Sequence, residues 1–234
     1  MTRADGRRPA ELRPVTIEPD FLGRAHGSAL VGFGGTRVLC AATLGDGVPR
    51  WLTGRGKGWL TAEYSMLPAS TGERTPREAS QGRQKGRTVE IQRLIGRVLR
   101  AVADMEALGE RTLWLDCDVL EADGGTRCAA ISGVYVAAYR ALDRHGLSRV
   151  LLDSVAAVSA GIVDGDALVD LDYSEDSTAD VDLNVAMTGE GRFVEVQATA
   201  ERGAFGRDRL DELLALSAAA IEEIGELQRA ALSG

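Results

Sequence analysis

"TLWLDCDVLEADGGTRCAAISGVYVAAYRAL", Thr112–Leu142, is the stretch on which the fold turns. Its first nine residues alternate apolar and polar side chains, the period of a strand with one buried face. From Cys128 onward the chain reads as a helix rich in small residues. Between the two lies Gly124-Gly125-Thr126-Arg127, which joins a strand's end to a helix start. At such a junction the unpaired N–H groups and the helix dipole favour an anion. Two glycines let a ligand approach the backbone, Thr126 adds a hydroxyl donor, and Arg127 adds a planar fork matched to phosphate. Glycines also simply turn chains, so the junction alone is a weak signal.

The same tetrapeptide occurs at Gly34–Arg37, inside "ALVGFGGTRVLCAATL" (Ala29–Leu44). Here an apolar run lies on each side, so the reading is strand, tight turn, strand, with the Gly-Gly pair supplying the hairpin. No helix follows, and no fan of free N–H groups is expected. The second copy is therefore read as the binding loop and the first as a turn.

Outward from these points the elements alternate irregularly. A polar N-terminal tail precedes the hairpin, and "WLTAEYSML" reads as a further strand. Pro68 to about Gly86 is a polar segment without hydrophobic periodicity, of a length that usually marks a functional loop. Residues 87–108 carry helical spacing in Val89, Ile91, Leu94, Ile95, Val98, Leu99 and Val102. Arg93, Arg97 and Arg100 share one face of that helix, with surface salt bridges the expected role of the last two. "VAAVSAGIVDGDALVDLDY" reads as two strands joined at "DGD". "EDSTADVDLNVAMTGEGRFVEVQAT" then reads as loop, strand, turn and strand, before an amphipathic helix from Arg207 to about Leu232. Mixed strands and helices in this order predict one α+β domain over 1–234.

Composition narrows the function class. The chain has 234 residues and a net charge of −8, but the charge is segregated. Residues 50–100 hold eleven basic and four acidic side chains, whereas residues from 101 on hold ten basic and twenty-six acidic. One basic segment on an acidic body suits a polyanion bound at one place. Three cysteines without a CxxC argue against a disulfide framework and read as buried hydrophobes. His26 and His145 are the only histidines, which excludes a His-rich zinc site. No 18-residue apolar run and no signal-peptide core is visible, so the expectation is a cytoplasmic protein that does not enter a membrane.

Asp170, Asp172, Glu175, Asp176, Asp180 and Asp182 crowd a short interval. Asp180 and Asp182 fall on one face of the expected strand, and Asp176 lies in the loop that leads to it. Converging carboxylates without basic partners suit a hard divalent cation, Mg²⁺ or Mn²⁺. A phosphate loop, a basic arm and a metal-ready acidic pair together suit phosphoryl-group chemistry. Kinase-like transfer, hydrolysis and phosphorolysis all remain open at this point.

In "RPVTI", "GVPRWLTGRGKGWLTAEYSMLP", "REASQGRQKGRTVEIQRLIGRVLR", "LDCDVLEADGGTRCAAISG" and "EDSTADVDLNVAM" the chain closely resembles the ribonuclease PH family over nearly its whole length. The resemblance implies a fold of the ribosomal protein S5 domain 2 type, with mixed sheets packed against helices. It implies phosphorolysis: inorganic phosphate attacks the 3′-terminal phosphodiester of RNA, above all of tRNA precursors, and releases a nucleoside diphosphate with Mg²⁺. By position it implies phosphate binding by Arg87, Gly125, Thr126 and Arg127, and metal binding by Asp176 and Asp182, with Asp182 also helping to protonate the leaving oxygen. Arg74, Arg77 and Arg93 match positions that hold the RNA backbone. A homohexamer, a trimer of dimers, is implied as well. One departure is visible: "LPAST" has Ala69 where the family usually has Arg, which removes one auxiliary RNA contact. A catalytically silent RNA-binding ring subunit and a hydrolytic metal-dependent nuclease are the alternatives.

Overall fold

The computed structural model describes residues 3–234. Two sheets and a set of helices form the α+β architecture expected from the sequence. The first sheet contains β1 (Val15–Pro19), β2 (Gly27–Phe33), β3 (Thr36–Asp46), β4 (Trp59–Met66) and β5 (Arg111–Glu121). Its order is β1-β2-β3-β5-β4, with only the β4–β5 pair parallel. The second contains β6 (Val155–Val163), β7 (Asp166–Val169), β8 (Val181–Thr188) and β9 (Phe193–Ala200), in the antiparallel order β7-β6-β8-β9. The "GG" and "DG" turns both close two-residue hairpins, pairing Phe33 with Thr36 and Val163 with Asp166.

Helix α3 (Thr126–Arg144) is the buried axis that joins the sheets, packing on β2 and β3 and also on β6. Its small residues make this possible. A Cβ on Gly133 would lie 2.6 Å from Val31 and 2.8 Å from the Cys40 sulfur, so the helix and sheet approach as closely as a glycine allows. A helix apolar all round belongs inside a core, and one continuous hydrophobic cluster runs through both sheets and α3. Helix α1 (Gly86–Ala101) covers β4, and α5 (Arg207–Ser233) covers β6 and β7. Among the described residues no helix is long and apolar enough to cross a membrane.

Three expectations for the N-terminal half need correction. The helix expected over 87–108 stops at Ala101 and restarts as α2 (Met105–Leu108). Tertiary pairing overrides periodicity there: Asp104 donates its N–H to Val150, Ala103 bridges Leu151, and the Asp104 carboxylate caps α2 through the N–H groups of Glu106 and Ala107. The N-terminal segment is no free tail. Arg3 is buried and grips the Glu175 carboxylate with two bonds of 2.7 and 2.6 Å, while Arg13 is equally buried on Asp170. Finally, Arg100 makes no salt bridge among the described residues; it donates to the Leu60 carbonyl and lies over the Trp59 ring. Arg97 does pair, with Glu195 at 2.7 Å.

Candidate active site

The strand–loop–helix reading of Thr112–Leu142 holds. β5 ends at Glu121, Gly124 and Gly125 take left-handed backbone (φ 74° and 65°), and α3 begins at Thr126. Both glycines are favoured by φ, and Gly124 is required by space as well. A Cβ on Gly124 would stand 2.6 Å from the Leu171 carbonyl, and one on Gly125 would stand 3.1 Å from the Arg13 guanidinium. As the helix N-cap, Gly125 offers no side-chain acceptor, so the first-turn N–H groups stay available for an anion.

Side chains around this terminus are pre-set. The buried Tyr64 hydroxyl donates to Thr126 Oγ1 at 2.9 Å, which leaves the threonine's own proton free to donate outward. Arg127 is mostly buried; it donates to Gln197 Oε1 at 2.8 Å and lies 3.7 Å from Glu90. Gln197 in turn donates to Glu90 at 3.1 Å. Arg87 stands exposed in the first turn of α1, and its charge reaches Tyr64, Asp176 and Asp182.

The carboxylates come from the half of the chain that builds the second sheet. A one-turn helix, α4 (Tyr173–Asp176), replaces the expected loop, and Asp176 is its last residue. Asp172 caps it in a reciprocal capping box with Glu175. Asp182 lies on β8, opposite Gly161 and Thr199, and Asp180, one residue before the strand, continues its pairing by donating to the Ile162 carbonyl and accepting from the Glu201 N–H. What the structure brings together is Asp176 and Asp182. Burial raises the Asp176 carboxyl above its ordinary pKa against the pull of Arg87 and Arg127. Burial also raises Asp182, and the neighbouring Asp176 charge pushes it further. Asn184 holds Asp182 with contacts of 3.3 Å to both oxygens, and the Cys128 thiol leans on Asn184 at 3.4 Å. Burial pushes that thiol up to about 12, so it is no nucleophile.

Such a pair fits a hard cation. Among the described residues no three His, Cys, Asp or Glu side chains are arranged to hold a metal, but Mg²⁺ is commonly held by one or two carboxylates together with substrate phosphates. Two crowded, half-buried carboxylates whose proton affinity is raised are the groups such an ion would relieve.

Other expected residues lie apart. Arg77 lines a cavity of about 290 Å³ with Glu63, Asp116 and Asp118, and Arg74 is exposed on the same loop. Arg93 lines a groove with Glu90, Arg97 and Glu195, one turn along α1 from Glu90. Ala69 is exposed and offers no cation. The His26 and His145 rings meet at a tilt, 4.7 Å between centroids, by the far end of α3, roughly 28 Å from its N-terminus by helix rise. Sequence reasoning missed Tyr64, Gln197, Arg13 and Glu201, whose charge acts on both aspartates. No local pattern marks these residues, because each reaches the site only through tertiary packing.

With both arginines and both aspartates at one helix terminus, the comparison with known sequences is decisive. The profile of the 3′ exoribonuclease family, domain 1, matches residues 11–141, and that of domain 2 matches residues 153–220. The chain belongs to the 3′ exoribonuclease family. The two matches divide between α3 and β6, so the phosphate-type loop comes from the first and the aspartate pair from the second. Among solved structures, rice (Oryza sativa) Rrp46 aligns over 98% of this chain and 100% of its own, at 21% identity and a TM-score of 0.80. An Archaeoglobus fulgidus exosome with RNA bound to the active site aligns over 96% and 91%, at 25% identity and a TM-score of 0.80. An archaeal exosome core aligns over 97% and 91%, at 24% identity and 0.76. These likenesses agree with the two-sheet fold.

Proposed function

We propose that this family member is a phosphate-dependent 3′→5′ exoribonuclease that trims the 3′ ends of tRNA precursors and releases nucleoside diphosphates. The observation that carries the reading is the gathering of Arg87, Arg127, Asp176 and Asp182 within electrostatic reach of one another near the N-terminus of α3. Phosphate and RNA repel each other, so their reaction needs cations around both. The α3 amides, the Thr126 hydroxyl, Arg127 and Arg87 bind and orient the inorganic phosphate. One of its oxygens attacks the terminal phosphorus as the bond to the preceding O3′ breaks. The proton that the phosphate gives up passes to the departing O3′ by way of Asp182, whose proton affinity burial has raised. Asp176 and Asp182 would hold Mg²⁺ or Mn²⁺, which supplies positive charge to the scissile phosphate when bound. Arg74, Arg77 and Arg93 track the RNA backbone outward.

Assembly as a homohexamer, a trimer of dimers, belongs to the same reading; the fold likeness to an exosome core supports a multi-chain form. That likeness equally suits a silent RNA-binding ring subunit, but such a subunit has no need of two arginines and two aspartates at one helix terminus. Incubation of the pure protein with a 3′-tailed tRNA and Mg²⁺, with and without phosphate, tests the proposal. Nucleoside diphosphates are expected only with phosphate. Monophosphates released without it would mean hydrolysis, and RNA binding without release would mean the silent subunit. Arg87→Ala is expected to raise the phosphate concentration needed for half-maximal rate at least tenfold without changing the assembly measured by light scattering.

A further inference from the structure

The first GGTR is more than a turn. Thr36 is fully buried, and its hydroxyl sits against the second GGTR: Oγ1 accepts the Asp123 N–H at 2.8 Å and donates to the Gly124 carbonyl at 2.6 Å. Gly35 lies against the same loop, since a Cβ there would stand 2.7 Å from the Asp123 carboxylate. The Asp123 carbonyl is taken by Arg13 Nη1, and Arg13 is itself fixed on Asp170 through Nε at 3.0 Å and Nη2 at 2.6 Å. Three successive peptide units, 122–123, 123–124 and 124–125, therefore have their orientations set from one side. A trans peptide points its N–H opposite to its C=O. Drawing the Gly124 carbonyl toward Thr36 turns the Gly125 N–H away from the hairpin, and drawing the Asp123 carbonyl toward Arg13 does the same to the Gly124 N–H.

We infer that Thr36 is a positioning residue for the anion loop: the β2–β3 hairpin fixes the backbone of Asp123–Gly125, so that the glycine amides and the start of α3 are held ready for inorganic phosphate before it arrives. The phosphate part of this inference rests on the function proposed above. Left-handed glycines are the most freely rotating residues in a chain, so two in succession lose an anion-binding arrangement unless something holds them. The hydroxyl does so with one donor and one acceptor, and it touches no substrate.

Thr36→Val keeps the shape and β-branching while removing both hydrogen bonds, and Thr36→Ser restores the hydroxyl. Thr36→Val is expected to raise the KM for phosphate about tenfold. The KM for RNA, and kcat at saturating phosphate, are expected to stay within about threefold of the wild type. Amide hydrogen exchange over Asp123–Arg127 is expected to quicken, and Thr36→Ser to return both readouts to wild-type values. Equal losses in the phosphate and RNA constants together with a lowered Tm would show a general structural role and overturn the inference. So would an unchanged phosphate KM. Should the wild type release no diphosphates at all, the proposed function fails, and exchange still decides the geometry. Faster loop exchange in Thr36→Val with rescue by Thr36→Ser upholds the positioning role, and unchanged exchange ends it.

Discussion

Two stretches of the chain carry the same four residues and do opposite work. In Gly34–Arg37 a strand follows the glycines. Thr36 therefore points into the core, and Arg37 lies on the surface, with a side chain 62% exposed and paired to Glu121 at 3.3 Å. In Gly124–Arg127 a helix follows. Thr126 and Arg127 then stand in its first turn, and the arginine side chain is only 13% exposed, held by Gln197. A local motif has no chemistry of its own. The strand or helix that comes after it decides whether its N–H groups enter a ladder or stay open, and whether its cation faces water or a second sheet. The two copies are also joined, because the turning one fastens the other through Thr36.

The largest expected difference lies in the arginines. Arg127→Ala is expected to lower kcat/KM for phosphate by about 10²–10³-fold, as the loss of one oriented donor to a reacting oxyanion does. Arg37→Ala, which breaks an exposed pair worth at most about 1 kcal/mol, is expected to leave it within twofold. Comparable losses in steady-state phosphorolysis by the two variants would break the comparison outright.

Next come the glycines. Gly124→Ala places a Cβ 2.6 Å from a backbone carbonyl at a left-handed φ of 74°. Its expected cost is roughly 3 kcal/mol in urea unfolding, from left-handed strain of about 1–2 kcal/mol plus the clash. Gly35→Ala meets only the Asp123 side chain, whose carboxylate is half-exposed and can turn toward water, and is expected to cost about 1 kcal/mol. A cost for Gly35→Ala as large as that for Gly124→Ala would mean that the hairpin is held as tightly as the loop it supports.

These two pairs mark how far the sequence could be read. Hairpin, strand–loop–helix junction and the small-residue helix were legible because each depends on near neighbours: alternation, adjacent glycines, one face every 3.6 residues. The break in the helix expected over 87–108 was not legible, because it comes from Val150 and Leu151, far along the chain. The buried anchors Arg3 and Arg13 pass for part of a polar tail for the same reason, since their partners Glu175 and Asp170 lie more than 150 residues away. In the site, glycines and carboxylates announced themselves by crowding. Tyr64 and Gln197 did not, being single polar residues on ordinary strands.

Tyr64 gives the next smaller effect. Tyr64→Phe leaves every expected phosphate ligand in place but frees Thr126 Oγ1 from the hydrogen bond that sets its rotor. The KM for phosphate is expected to rise about three- to fivefold, the worth of one neutral hydrogen bond, with kcat unchanged. A fall in kcat with no change in KM would show that the phenol acts in the reaction and not on the loop.

The last effect is a small change in stability at the other half of the site, and it has the opposite sign. Burial and the neighbouring Asp176 raise the Asp182 pKa in the folded chain. The folded state therefore binds this proton more readily than the unfolded state, and at neutral pH the ionised carboxylate costs stability. As pH falls toward the raised folded-state value, that cost is relieved. Asp182→Asn keeps an oxygen for Asn184 to donate to while removing the charge. In a chelator-containing buffer at neutral pH it is expected to raise the Tm by about 2–4 °C, with partial exposure holding the gain to roughly 1 kcal/mol or less. The same substitution is expected to abolish turnover, so the gain appears in a dead enzyme, as at sites that trade stability for chemistry. Millimolar Mg²⁺ is expected to raise the wild-type Tm and to do little for the variant, because an ion that binds only the folded state stabilises it by mass action. A variant that melts at or below the wild type without metal would mean that Asn184 and the two arginines already neutralise Asp182, and the aspartate pair would then be as settled in its surroundings as the surface pair of Arg37 and Glu121.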